Sequence, residues 1–156
     1  MMTRAVEPWL ATPLSRFVRD AGVRCALVLE PSGRVLAAHG FTKSVDVMSA
    51  CALAAGIHAT ATELGRMAQD APYGALHYRG AASQLFLSSL VTQGRVLVVL
   101  AVFDEDSSLG HVRVCFGDMV AAAGSASAGA EASHPPLDAD FERDLSRNLA
   151  VLFGRA

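Results

Sequence analysis

The chain is short of charge, of lysine and of long apolar runs. Charged residues make up 18% of its 156 positions and the net charge is −2, so it has no electrostatic footprint for nucleic acid and no basic run for an anionic membrane. The longest uninterrupted apolar run, Val96 to Phe103, is eight residues, against the roughly 20 that a membrane-spanning helix needs. Near the N-terminus stand Arg4, Glu7, Pro8 and Pro13, where a signal peptide requires a continuous apolar stretch; a cytoplasmic setting is the expectation. The three cysteines, Cys25, Cys51 and Cys115, are odd in number and include no CxxC. They read as reduced, buried, small hydrophobes. Lys43 is the single lysine, and the other twelve cations are arginines. That bias suits planar recognition of carboxylates and phosphates, but composition alone assigns no site.

What the chain does have is aliphatic bulk. Hydrophobic residues reach 52% with only 6% aromatic, in a length that suits one domain. Such a chain carries more apolar face than one small core covers, which points to an oligomer or an obligate partner. Thr12 and Pro13 open a first helix with Leu14, Phe17, Val18 and Ala21 at helical spacing, and Gly22 closes it. Two β-rich runs, Cys25 to Glu30 and Arg34 to Ala38, flank the turn Pro31-Ser32-Gly33. Ser44 or Asp46 can cap a long helix that runs to about Gln69, where Pro72 and Gly74 stop it. Ala75 to Arg79, Gln84 to Thr92 and Arg95 to Asp104 read as three strands, and Leu109 to Gly124 as a helix. Residues 125–136 have the composition of a flexible linker. Residues 137–153 carry Leu137, Phe141, Leu145, Leu149, Leu152 and Phe153 as an amphipathic final helix.

The order α-β-β-α-β-β-β-α predicts an α/β sandwich with one antiparallel five-stranded sheet between helical layers, followed by the C-terminal helix. Over residues 8–124 it resembles the roadblock / dynein light chain domain family, in particular its bacterial, MglB-like branch. The resemblance is carried by Ala26-Leu27-Val28-Leu29-Glu30-Pro31-Ser32-Gly33-Arg34-Val35-Leu36-Ala37, by the alanine-rich helix from Val45, and by Val96 to Asp104 running into Ser108-Leu109-Gly110-His111-Val112.

On a wheel at 100° per residue the long helix has two apolar sides. Ala50, Leu53, Ile57, Leu64 and Ala68 form one, expected to lie on the sheet. Met48, Cys51, Ala52, Ala55 and Ala59 form the other, small-residue side. That second side is either covered by another helix of the same chain or met by the same helix of a second subunit, and the latter is the expectation. Gly40-Phe41-Thr42-Lys43-Ser44 lacks the glycines of a phosphate loop, since Thr42 and Ala37 stand where they belong. It reads as a solvated helix entry. His111 and Cys115 share a helix face but form only half a metal site. Asp104-Glu105-Asp106 reads as a helix N-cap and dipole complement. There is no GxSxG, and His39, His58, His77, His111 and His134 are scattered. No residue is therefore assigned a catalytic, cofactor-binding or metal role, and the chain is read as a non-enzyme.

The resemblance implies a homodimer that binds a Ras-like small GTPase or a paralogous roadblock protein, in bacterial polarity or motility. It places the dimer contact on the long helix and the strand Ala75 to Arg79, hence on Met48, Cys51, Ala52, Ala55, Ala59, Ala75, His77 and Arg79. Two helices side by side would form a platform whose rim includes Thr42, Ser44, Glu63 and Arg66. Two other functions stay open: a GTPase-activating protein, and a PAS-like ligand sensor, which would need a hollow core.

Overall fold

The computed structural model describes residues 3–40, 42–43, 46–133, 143 and 146–151. A six-stranded antiparallel sheet has the order β1-β3-β2-β6-β5-β4, from β1 (Arg4–Ala5), β2 (Cys25–Leu29), β3 (Val35–Gly40), β4 (Ala75–Arg79), β5 (Gln84–Thr92) and β6 (Arg95–Phe103). Helices α1 (Ala11–Ala21) and α3 (Leu109–Ser133) cover one face, and α2 (Val47–Gln69) covers the other. The α/β sandwich holds, with one strand more than expected. The extra strand, β1, pairs Arg4 with Ala38 and Ala5 with Ala37, and two residues are too few for alternation to reveal it.

The central strand β2 is buried at all five positions, which is why Cys25-Ala26-Leu27-Val28-Leu29 reads as an unbroken apolar run. Alternate residues feed two cores. Ala26 and Val28 join Leu14, Phe17, Phe86, Leu97 and Val112 under α1 and α3, whereas Leu27 and Leu29 join Leu87, Val98, Cys51 and Ala54 under α2. Gly33 closes the β2–β3 turn at φ 94°, its N–H donating to the Glu30 carbonyl at 2.8 Å. Gln93 and Gly94, both at positive φ, join β5 to β6 in the sense that matches strand twist. These turns meet in an ion-pair network: Arg95 reaches Glu7 at 2.8 Å and Glu30 at 3.3 Å, and Arg34 holds Glu30 at 2.7 Å.

The expected flexible linker at 125–136 is corrected over 125–133, where α3 simply continues. Ser127 is buried and its hydroxyl meets that of Thr92 on β5. Its four alanines, with Glu131, favour the helix there against three serines and one glycine. Residues 134–136 lie outside the described residues. Of the final helix, Arg143 and residues 146–151 are described and helical; its Leu137, Phe141, Leu145, Leu152 and Phe153 are not among them.

Candidate functional site: the outer face of α2 and the β4 edge

Helix α2 starts at Asp46, whose carboxylate accepts from the Ser49 N–H at 3.3 Å and from the Ser49 hydroxyl at 2.6 Å. These bonds, the hydroxyl's first, hold its pKa below the usual carboxylate value. Asp46 is thus the cap between the two candidates; Ser44 lies outside the described residues. At the other end Asp70 takes a left-handed conformation, φ 54°, and the chain returns across Gly65. A Cβ on Gly65 would sit 2.7 Å from the Ala71 carbonyl oxygen. The return is clipped by His58, whose Nδ1 lies 2.7 Å from the Tyr73 hydroxyl, with the rings edge to face at 5.4 Å. Burial pushes the Tyr73 pKa up to about 12 and moves that of His58 down.

The helix is rotated from the expected placement. Cys51, Ala54 and Ala55 are the residues buried against the sheet, while Leu53, Ile57 and Leu64, expected there, are exposed, Leu53 by 69%. Cys51 and Ala55 therefore leave the list of interface residues, because their side chains belong to the chain's own core. The reason is steric. Leu27, Leu29, Leu87 and Val98 already fill the space above the sheet, so only small helix residues permit close approach. Ala55 also faces the β2–β3 turn, 3.8 Å from where a Gly33 Cβ would be. Met48, Ala52 and Ala59 are exposed.

Ala52 and Ala55 face that turn, and helical geometry puts Leu53, Ile57 and Leu64 together on the opposite flank of α2. Strand β4 is the sheet edge, hydrogen-bonded only to β5 among the described strands. Ala75 packs on the α1/α3 core, and His77 stacks on Phe103 at 6.0 Å with Nε2 2.8 Å from Gln84 Oε1. Arg79 shares their side of the strand and lines a groove with Asp104 and Asp106. Strand alternation then puts Leu76 and Tyr78, which is 65% exposed, on the α2 side. These two were not anticipated, although the same alternation in the sequence marks them. Leu53, Ile57 and Leu64 on α2 and Leu76 and Tyr78 on the strand edge are thus uncovered apolar residues on one side of the sheet.

The expected rim residues are not gathered within one chain. Thr42 is half-buried before the start of α2, whereas Glu63 and Arg66 are exposed near its end and pair with each other at 3.9 Å. The 23-residue helix is roughly 35 Å long. Elsewhere, His111 Nε2 is engaged by the Asp20 carbonyl at 2.7 Å, with Cys115 Sγ at 3.8 Å. Among the described residues no group of three His, Cys, Asp or Glu could hold a metal ion. The acidic run is a turn in which the Asp106 N–H donates to Asp104 Oδ1 at 3.0 Å, and the cap of α3 is Ser108, which accepts from the His111 N–H at 3.3 Å. The capping role expected of Asp104-Glu105-Asp106 passes to that serine.

No family model and no curated protein matches the chain. Solved structures do. MglB of Myxococcus xanthus superposes with a TM-score of 0.69 at 21% identity, covering 77% of this chain and 95% of its own. The gliding protein MglB of Thermus thermophilus gives 0.66 at 23% identity, with coverages of 76% and 87%. A Roadblock/LC7 domain of Streptomyces avermitilis gives 0.59 at 20% identity, with 70% and 90%. With strand order, helix placement and these superpositions in agreement, the chain has the roadblock/LC7 fold, in the form seen in MglB.

Proposed function

We propose that this chain is a non-catalytic, homodimeric adaptor or regulator that binds a Ras-like small GTPase or a second roadblock protein, in bacterial polarity or motility. The observation that carries the reading is that α2 has an uncovered apolar flank and that β4, on the same sheet, is an edge strand with Leu76 and Tyr78 exposed. A second copy placed there extends the sheet through backbone hydrogen bonds and covers Leu53, Ile57, Leu64, Leu76 and Tyr78 in both subunits. Ten large side chains, each contributing about 1.5–3 kcal/mol for full burial and here roughly half exposed, give about 7–15 kcal/mol gross. Association costs about 4–15 kcal/mol, so the dimer depends on most of this set being well packed. With two α2 helices alongside one another, Met48, Ala52, Ala59, Glu63 and Arg66 remain on an outer platform for the partner protein. The resemblance to bacterial roadblock proteins and the name gliding protein borne by the Thermus structure support motility as the setting.

The test is sedimentation of the whole chain with Tyr78→Glu. The unaltered chain is expected to be a dimer at micromolar concentration and the variant a folded monomer. Co-purification from extracts of its own cells should then recover a GTPase with the unaltered chain and lose it with Glu63→Lys and Arg66→Glu together. A monomeric unaltered chain removes the dimer, and undiminished capture by the charge variants removes the platform.

A further inference from the structure

The backbone of β4 limits how a second copy can pair with it. Its ladder to β5 runs in one register from Ala75 opposite Ser88 to Arg79 opposite Gln84. One step further, the Gly80 N–H donates to the Ser83 carbonyl at 2.9 Å. In an antiparallel ladder, pairs that exchange hydrogen bonds alternate with pairs that do not. Leu76 and Tyr78 therefore turn their N–H and C=O groups to β5, whereas Ala75, His77 and Arg79 turn theirs to the open edge. Gly74 keeps the same alternation, its carbonyl accepting from the Ser88 hydroxyl of β5 at 2.8 Å. The strand holds no proline, and among the described strands nothing pairs with its outer side. Three N–H and three C=O groups are thus left to pair.

A two-fold axis normal to the sheet sets a second β4 antiparallel to the first and keeps both α2 helices on one side. Placed at Leu76, the axis pairs Ala75 with the partner's His77 in both directions. Arg79 then falls opposite the partner's Tyr73, whose backbone nitrogen is packed against Gly65 of α2. Placed at Tyr78, the axis pairs His77 with the partner's Arg79, and Ala75 falls opposite the partner's Ala81, past the end of the strand. Either choice makes two hydrogen-bonded pairs. An axis at His77 makes three, His77 with its own copy and Ala75 with the partner's Arg79 twice, and it uses every outward group. The side chains agree. This register sets Leu76 against the partner's Tyr78, twice, in the non-hydrogen-bonded pairs where side chains stand closest. The other two set Tyr78 against the partner's Gly74, or Leu76 against the partner's Gly80.

We propose, resting on the homodimer argued above, that the two β4 strands pair about a two-fold axis at His77. The test uses the full chain with one new cysteine at a time, the three native cysteines being buried. The register brings the Cα atoms of Leu76 and the partner's Tyr78 to about 4.5 Å and those of the two His77 residues to about 5.5 Å, both within disulfide reach. Under a mild oxidant His77→Cys should cross-link with itself, and so should a subunit-exchanged mixture of Leu76→Cys with Tyr78→Cys. Leu76→Cys alone and Tyr78→Cys alone should each give at least about fivefold less product than the mixture. Sedimentation of the unaltered chain separates the two levels of the argument. If that chain is a dimer and Leu76→Cys or Tyr78→Cys alone matches the mixture, the axis lies elsewhere on β4, and the register is overturned while the homodimer stands. A dimeric chain whose His77→Cys variant, with Leu76 and Tyr78 still in place, gives no product overturns it as well. A monomeric unaltered chain removes the homodimer and the register together.

Discussion

Two substitutions to the same residue, two positions apart on α2, separate the observed rotation of the helix from the one its sequence suggests. Cys51 has no exposed surface and is surrounded by Leu27, Leu29, Leu87 and Val98, with no acid in that cluster. In Cys51→Arg an unpaired guanidinium enters this space at about 3–5 kcal/mol, and its extra volume adds about 1–3 kcal/mol of overpacking. The sum, about 4–8 kcal/mol, is comparable with the whole stability of a domain, about 5–15 kcal/mol. At about 2–4 °C per kcal/mol for a chain of this size, the melting temperature should fall by roughly 10–30 °C, or no transition should remain. Leu53 is two-thirds exposed, and Leu53→Arg should change the stability of one chain by no more than about 0.5 kcal/mol. Its effect should instead fall on self-association, as a loss of the concentration dependence of melting. Circular dichroism melts at two protein concentrations, with sedimentation of the same samples, read both quantities. If Leu53→Arg unfolds the chain while Cys51→Arg leaves it intact, α2 presents the other face to the sheet and the interface argument fails.

Further outcomes follow from other parts of the structure. Gly65→Ala places a methyl group 2.7 Å from the Ala71 carbonyl and should lower the urea midpoint by the equivalent of about 1–3 kcal/mol; an unchanged midpoint would show that the return to β4 does not cross α2 this closely. The Glu7 pKa is held below its ordinary 4.5, first by the hydrogen bond from Arg95, and that of Glu30 first by Arg34. A depressed folded-state pKa gives stability that is present above about 4.5 and lost as pH falls through the folded value. Arg95→Met should accordingly be less stable than the unaltered chain at pH 7 and converge with it in acid, whereas a gap independent of pH would assign the difference to packing. Ending the chain after Gly124 removes Ser127 and four of the five α3 residues that line a groove with Trp9, leaving Ala122; the fluorescence of this single tryptophan should shift to the red. Ending it after Ser133 should leave the spectrum in place, and equal spectra for the two truncations would contradict the docking of that last stretch of α3.

The order of elements, the two hairpin turns, the left-handed closing glycine of α1 and the buried state of the three cysteines were all legible in the sequence. Each is a local matter: a turn needs a residue that tolerates positive φ, and a strand buried on both faces needs an apolar residue at every position. Strand β1 was not legible, because two residues become a strand only through the partner beside them. Nor was the helical continuation past Gly124, where Ser127 and Thr92, far apart in sequence, complete one another. The side of α2 that meets the sheet was the largest matter left to tertiary structure. Both sides of that helix are apolar, so hydropathy does not distinguish them. The choice went to Cys51, Ala54 and Ala55 because the large side chains of β2, β5 and β6 had already taken the volume, and small residues were what the remaining gap could admit. Leu53, Ile57 and Leu64 were thereby left on the surface, as were Leu76 and Tyr78 on the open strand edge.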